Sequence, residues 1–102
     1  MTGNSPAKER VAPVAYSTLS PQDRRAVRSA YIDAQNGLCH HCNAPLDGPP
    51  APHVARQKVT RRLYPANFFK FPVHLHHDHD TDLTIGAVHN HCNAVLWEHH
   101  GE

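Results

Sequence analysis

The stretch "VHLHHDHDTDLTIGAVHNHCNAVLW", residues 73–97, holds six histidines, three aspartates and one cysteine, and neither lysine nor arginine. Imidazole, carboxylate and thiolate together are the ligand set of borderline metals, and imidazole is also the base that works near neutral pH. Two chemistries are separable by spacing. Cys39-x-x-Cys42 lets two thiolates meet one ion, and His89-x-x-Cys92 repeats the gap near the C-terminus. Three thiolates and one imidazole make a closed tetrahedral Zn²⁺ site. The pairing accounts for an odd cysteine number that no disulfide framework would. His40, His41 and His91 compete as ligands, but only His89 keeps the spacing. The plainer alternative is a buried reduced cysteine pair with a third cysteine in the core.

Outside that set stand His76, His77, Asp78 and His79. Phosphodiester hydrolysis needs a neutral imidazole to take a proton from water and a cation at the leaving oxygen. His77 can be the base, with His76 and Asn93 holding one divalent ion. An alternative register makes Asp78 and His79 the metal–base pair. Strand alternation favours the first: Val73 and Leu75 face the core, His76 the opposite side, and His77 is the terminal residue free to turn inward.

The elements that must position these groups are readable. Ser20 is an N-cap, Pro21 suits the first helical position and Asp23 follows three residues after the cap. Val27, Ala30, Tyr31 and Ala34 recur at helical spacing, and Gly37 supplies the stop. "VHLHH" has strand period and "TIGAV" (84–88) is its hairpin partner across 78–83. Asn90 caps a last helix through Trp97, ended by Gly101. Residues 1–18 read as a flexible N-terminal segment and 19–102 as a single domain. The fold class expected is α+β: a hairpin and helix preceded by an N-terminal helix, with zinc-stapled knuckles.

Composition supports a metal staple. The chain has 102 residues, 39% of them hydrophobic, with nine prolines and five glycines, so its core is thin. Net charge is +1, but all ten lysines and arginines lie at or before Lys70. The basic loop between Gly48 and His77 contains Lys58, Arg61 and Arg62 and no acid, so these residues are candidate contacts to a polyanion such as DNA; the alternative on charge alone is an ordinary solvated loop. Tyr64, Phe68 and Phe69 in it could stack on unpaired bases, although burial is their commoner use. Trp97 is expected in the core, and His99 and His100 at the surface, in the helix C-terminal dipole. The N-terminus has no apolar h-region and no stretch reaches transmembrane length, so a soluble, cytoplasmic protein without membrane association is expected.

"DAQNGLCHHCNAPL" and "HHDHDTDLTIGAVHNHCN" resemble the HNH (His-Me finger) nucleases, and within them the bacteriophage recombination endonuclease VII group, whose block runs "DHDH…T-G…R-G…C-x-x-C-N". The two segments cover about a third of the chain. "GAVHNHCNAVLW" is also similar to HNH proteins of phages infecting actinobacteria. The resemblance implies a ββα-metal fold, a phage-encoded DNA endonuclease acting in the host cytoplasm, a structural Zn²⁺ and one catalytic divalent metal (Mg²⁺, Mn²⁺ or Ni²⁺). It makes His77 the general base, His76 and Asn93 the metal-binding positions, and His79 the second histidine of the block. Its substrate would be duplex or branched DNA. Three positions depart: His76 replaces an aspartate, His89 a zinc cysteine, and Ile85 an arginine before Gly86. The last removes a cation, for which the basic loop is the substitute. Two rival readings are a zinc-stapled nucleic-acid-binding module that has lost catalysis and a His-rich interaction domain. The former has no need of a His77/Asn93 pair, and the latter has no need of a basic loop.

Overall fold

The computed structural model describes residues 11–101. Helix α1 spans Pro21–Ala34 and opens on a complete capping box, Ser20 receiving the backbone N–H of Asp23 while the Asp23 carboxylate receives that of Ser20. Past its end, Asn36 and Gly37 take the left-handed conformation (φ 59° and 73°), and the Gly37 N–H closes on the Ile32 carbonyl. The knuckle turn around Cys39 and Cys42 follows, then the one-turn helix α2 (Pro52–Ala55). Strands β1 (Val73–His77) and β2 (Thr84–His89) form the antiparallel hairpin, and helix α3 (Asn90–His100) leaves β2 directly. Gly101, φ 72°, ends it.

The result is a small α+β domain: one two-stranded sheet with α1 and α3 packed on it. The expected contrast between a core face and an open face of β1 is not found. Leu75 and His76, adjacent and therefore on opposite faces, are both buried. The reason is that the hairpin is covered from both sides. Pairing runs from Val73↔His89 to His76↔Gly86, then slips so that His77 meets Thr84. The extra residue, Ile85, makes a bulge just where β1 delivers His77, and a bulge re-aims the side chains beside it.

Two other expectations need amending. Residues 1–10 lie outside the described part of the presumed flexible segment, but residues 11–18 are tied to the hairpin. Val14 exchanges bonds with Thr84, through its N–H to Thr84 Oγ1 and its carbonyl to the Thr84 N–H, and the Tyr16 N–H reaches the Asp82 carbonyl. Their backbone pairs with a sheet edge, which composition does not reveal. Asn90 does not cap α3; the N-cap is His89 without a side-chain bond. The Asn90 amide instead donates to the carbonyls of Phe69 and Phe71, drawing the basic loop onto the hairpin–helix junction. The same loop is pinned to α3 through Glu98, which accepts from Tyr64 Oη (2.7 Å) and the Thr60 N–H (2.8 Å).

The core is Tyr31, Leu46, Val54, Leu75, Val88, Val95 and Leu96, together with the three cysteines. No helix among the described residues is long and apolar enough to cross a membrane.

Candidate functional site

The first site is the cysteine cluster. Cys39 and Cys42 sit on the knuckle, His89 at the end of β2 and Cys92 in the first turn of α3. Their ligand atoms all lie within 4.8 Å of one another and all four residues are buried. His89 Nε2–H donates to the Pro45 carbonyl (2.8 Å), so its bare Nδ1 faces the sulfurs of Cys42 and Cys92 at 3.5 and 3.6 Å. Fixing one ring nitrogen on a carbonyl is how metal-bound histidines are oriented. The Ala51 N–H points at Cys42 Sγ (3.4 Å). The Cys92 thiol hydrogen-bonds Cys39, holding the Cys39 thiol down at about 4 and, with burial, pushing that of Cys92 up. Four buried donor atoms therefore converge on one point, and the group can hold a metal ion such as zinc. Of the competing histidines, His91 donates to the Val54 carbonyl and His41 lies against the His100 ring.

The knuckle is clamped to β2 by one side chain. Gln35 donates to the carbonyls of Leu38 and Ala87 and accepts from the Ala87 N–H, standing in for a missing strand. His40 adds its N–H to the Ala87 carbonyl. A Cβ on Gly86 would lie 2.9 Å from Gln35 Oε1 and 2.9 Å from His40 Cγ, so the close approach requires glycine there.

Beside β1 lies a cavity of about 450 Å³. His77 lines it, its ring stacked on Tyr16 (3.9 Å between centroids, 6° between planes) and edge-on to His79 at 4.8 Å. The Arg24 guanidinium covers the Tyr16 ring at 4.4 Å. Tyr16 is held in turn by Asp82, whose carboxylate accepts from the Ser17 N–H (3.0 Å) and Oγ–H (2.6 Å). Burial lowers the His77 pKa below the ordinary 6.5, and His79, His76 and Arg24 add to that against the opposing pull of Asp82. The imidazole is therefore neutral at pH 7.

Asn93 lines the same cavity, but its side chain is bonded to His74: the amide Nδ2–H donates to His74 Nδ1 at 3.0 Å, while His74 Nε2–H donates to the Phe68 carbonyl at 2.8 Å. His74 thus has the same tautomer as His89, with a lone pair on Nδ1. Burial, then Arg28, keeps it neutral. His76, the expected companion of Asn93, is 2% exposed and is not among the described residues lining the cavity. Asp78 is not among them either; its carboxylate accepts the N–H groups of Asp80 and Thr81, closing the hairpin turn. His79 is exposed on the rim. No second cluster of three or more His, Cys, Asp or Glu ligands forms among the described residues.

The cations at the cavity are Arg24 and Arg28 of α1, and Arg24 Nε is buried with no hydrogen-bond partner among the described residues. Lys58, Arg61 and Arg62 are exposed and outside the lining; Arg61 lies over the Phe69 ring at 4.2 Å. Trp97, expected in the core, is 45% exposed and lines the cavity. Sequence reasoning missed Tyr16 and His74 as site residues. Tyr16 had no local signal, but His74 stands two residues before His76 on one strand and could have been weighed. No family model, curated protein or solved structure matches the chain.

Proposed function

We propose that this protein is a metal-dependent DNA endonuclease of HNH type, with the cysteine cluster holding a structural Zn²⁺. The observation that carries the reading is a neutral, ring-stacked His77 sharing one cavity with two arginines and the His74–Asn93 pair, next to a Cys₃His cluster. The resemblance in sequence to the endonuclease VII group adds a reason to choose phosphodiester cleavage over other hydrolyses.

His77 takes the proton of a water attacking phosphorus, and its lowered pKa keeps it able to do so at neutral pH. Arg24 and Arg28 hold the non-bridging oxygens and balance the charge that builds on them. They replace the cation lost where Ile85 departs from the family pattern. Tyr16 fixes the plane of the base. A divalent metal, when bound, would stabilise the leaving oxygen. The residues present could hold such an ion once the Asn93 amide gives up the His74 Nδ1 lone pair on which it now donates: His74 Nδ1 and the Asn93 side-chain oxygen would then be its ligands, while His76 is the position the resemblance assigns. The decisive experiment is cleavage of supercoiled plasmid and branched DNA under a panel of divalent metals, beside His77→Ala. Loss of turnover with DNA binding nearly intact is expected, since a general base acts in the transition state. Cleavage at the parental rate by His77→Ala, with loss in His79→Ala, would transfer the role to the Asp78–His79 pair.

A second reading, a nucleic-acid-binding module without catalysis, is favoured by one observation: Asn93 spends its amide on His74. It predicts no metal-stimulated cleavage of either DNA.

A further inference from the structure

Four large hydrophobic side chains are exposed among the described residues: Leu63, Phe71, Leu83 and Trp97. Three of them, Leu63 (53%), Phe71 (56%) and Trp97 (45%), line the single cavity that also holds His77. A thin-cored domain gains stability by burying such groups, so their gathering on one concavity points to something that covers them. The rings are also ordered. Trp97 meets Tyr64 edge-on at 5.8 Å, Tyr64 meets Phe68 at 4.5 Å, and Phe68 meets His74 at 4.5 Å. An aromatic path therefore runs from Trp97 to the His74–Asn93 pair.

Charge selects the occupant. The described lining includes two guanidinium groups and no carboxylate, so it suits an anion. Asn67 and Asn93 place amide groups among the rings. An anion carrying a flat, apolar, hydrogen-bonding body is a nucleotide. A volume of about 450 Å³ is in the range of small-molecule sites, large enough for one nucleotide and far too small for a duplex. A base stacked and paired in a duplex offers only its edge; an unpaired or extruded base offers its face.

We propose that the aromatic part of the cavity is a seat for one unpaired nucleobase, whose phosphate lies between Arg24 and Arg28 beside His77. The substrate class that follows is DNA with unpaired nucleotides, as in single strands, flaps and junction centres, in preference to continuous duplex. This rests on the reading of His77 as the base of a phosphodiesterase, and it deepens that reading by naming what is cut.

The chain's single tryptophan is Trp97, so emission excited selectively at tryptophan, beyond tyrosine absorption, reports on this seat. Zinc-loaded protein is titrated, without further divalent metal and at one ionic strength, with oligothymidylate, with an abasic oligomer of equal length and with a hairpin duplex of equal phosphate number. Oligothymidylate should quench Trp97 and bind about tenfold more tightly than the other two, the scale of one base stacked on aromatic rings. Phe71→Ala, a change at an exposed side chain, should remove most of that advantage and leave duplex affinity as it was. Equal affinity for the base-bearing and abasic oligomers, or binding without quenching, overturns the proposal. Plasmid nicking by the same preparation, after addition of Mn²⁺, Ni²⁺ or Mg²⁺, separates the two readings. Nicking of duplex with no preference for oligothymidylate removes the base seat and leaves the hydrolase. Quenching and base preference with no cleavage of any DNA removes the hydrolase and leaves the seat.

Discussion

In the proposed hydrolase, Tyr16 is the side chain that sets the surroundings of His77. The stack at 3.9 Å shields one face of the imidazole and so contributes to the burial that lowers its pKa. Tyr16→Ala should lower turnover by on the order of tenfold to a hundredfold, the usual cost of a mispositioned group. The acid limb of the pH–rate profile should rise towards 6.5, because a more solvated imidazole protonates more readily. Tyr16→Phe keeps the stack and should restore both, whereas a merely structural role would change rate without moving the limb. A second prediction concerns metal choice. An imidazole and an amide without a carboxylate suit Mn²⁺ or Ni²⁺ better than Mg²⁺, so cleavage should be faster with either at equal concentration. If His74 is the ligand, His74→Asp should shift the preference towards Mg²⁺ more than His76→Asp does; the reverse order would return the role to His76.

The elements show where local sequence is informative and where it is not. The capped α1, the hairpin, α3 and each half of the Cys₃His cluster were legible, because each is encoded by residues a few positions apart: Ser20 with Asp23, the alternation of Val73 and Leu75, the two-residue gaps at Cys39 and His89, whose match also paired the two halves. What the sequence could not show depends on contacts between distant segments. The docking of residues 11–18 on Thr84 and Asp82 is one case, and the arrival of Arg24 and Arg28 at the hairpin is another. The bulge at Ile85 is intermediate: it lies just where β1 delivers His77, yet no residue type there announces it. The junction most sensitive to a single atom is Gly86 against Gln35 and His40. Gly86→Ala must displace either the Gln35 clamp or the knuckle, and overpacking of this sort costs about 1–3 kcal/mol. Thermal unfolding should register a clear drop in midpoint, while Gly48→Ala, whose Cβ would meet nothing closer than 3.9 Å, should not.

At the scale of the whole molecule, the cysteine cluster and the cavity are two sides of one hairpin–helix unit. Cys92 and Asn93 are consecutive on α3, one turned to the cysteine cluster and the other to His74. Whatever fixes the first therefore fixes the second. The core offers few large side chains besides the ligands themselves, since Cys39 and Cys92 are among the five largest fully buried side chains. Without metal, three buried sulfurs and one buried imidazole converge with no ion to hold them together. Binding free energy at such a site acts as folding free energy. Elemental analysis should find one zinc per chain, and chelation should lower the unfolding midpoint, with re-addition of zinc restoring it. Cys39→Ser should abolish both the zinc content and the response to chelator. The same treatment should flatten the difference in Trp97 emission between free and oligothymidylate-bound protein, because α3 carries Cys92, Asn93 and Trp97 on one helix. A protein that contained no zinc as purified and melted identically after Cys39→Ser would remove the staple from the account. The cavity would then have to be held by the Gln35 clamp and the Glu98 contacts alone.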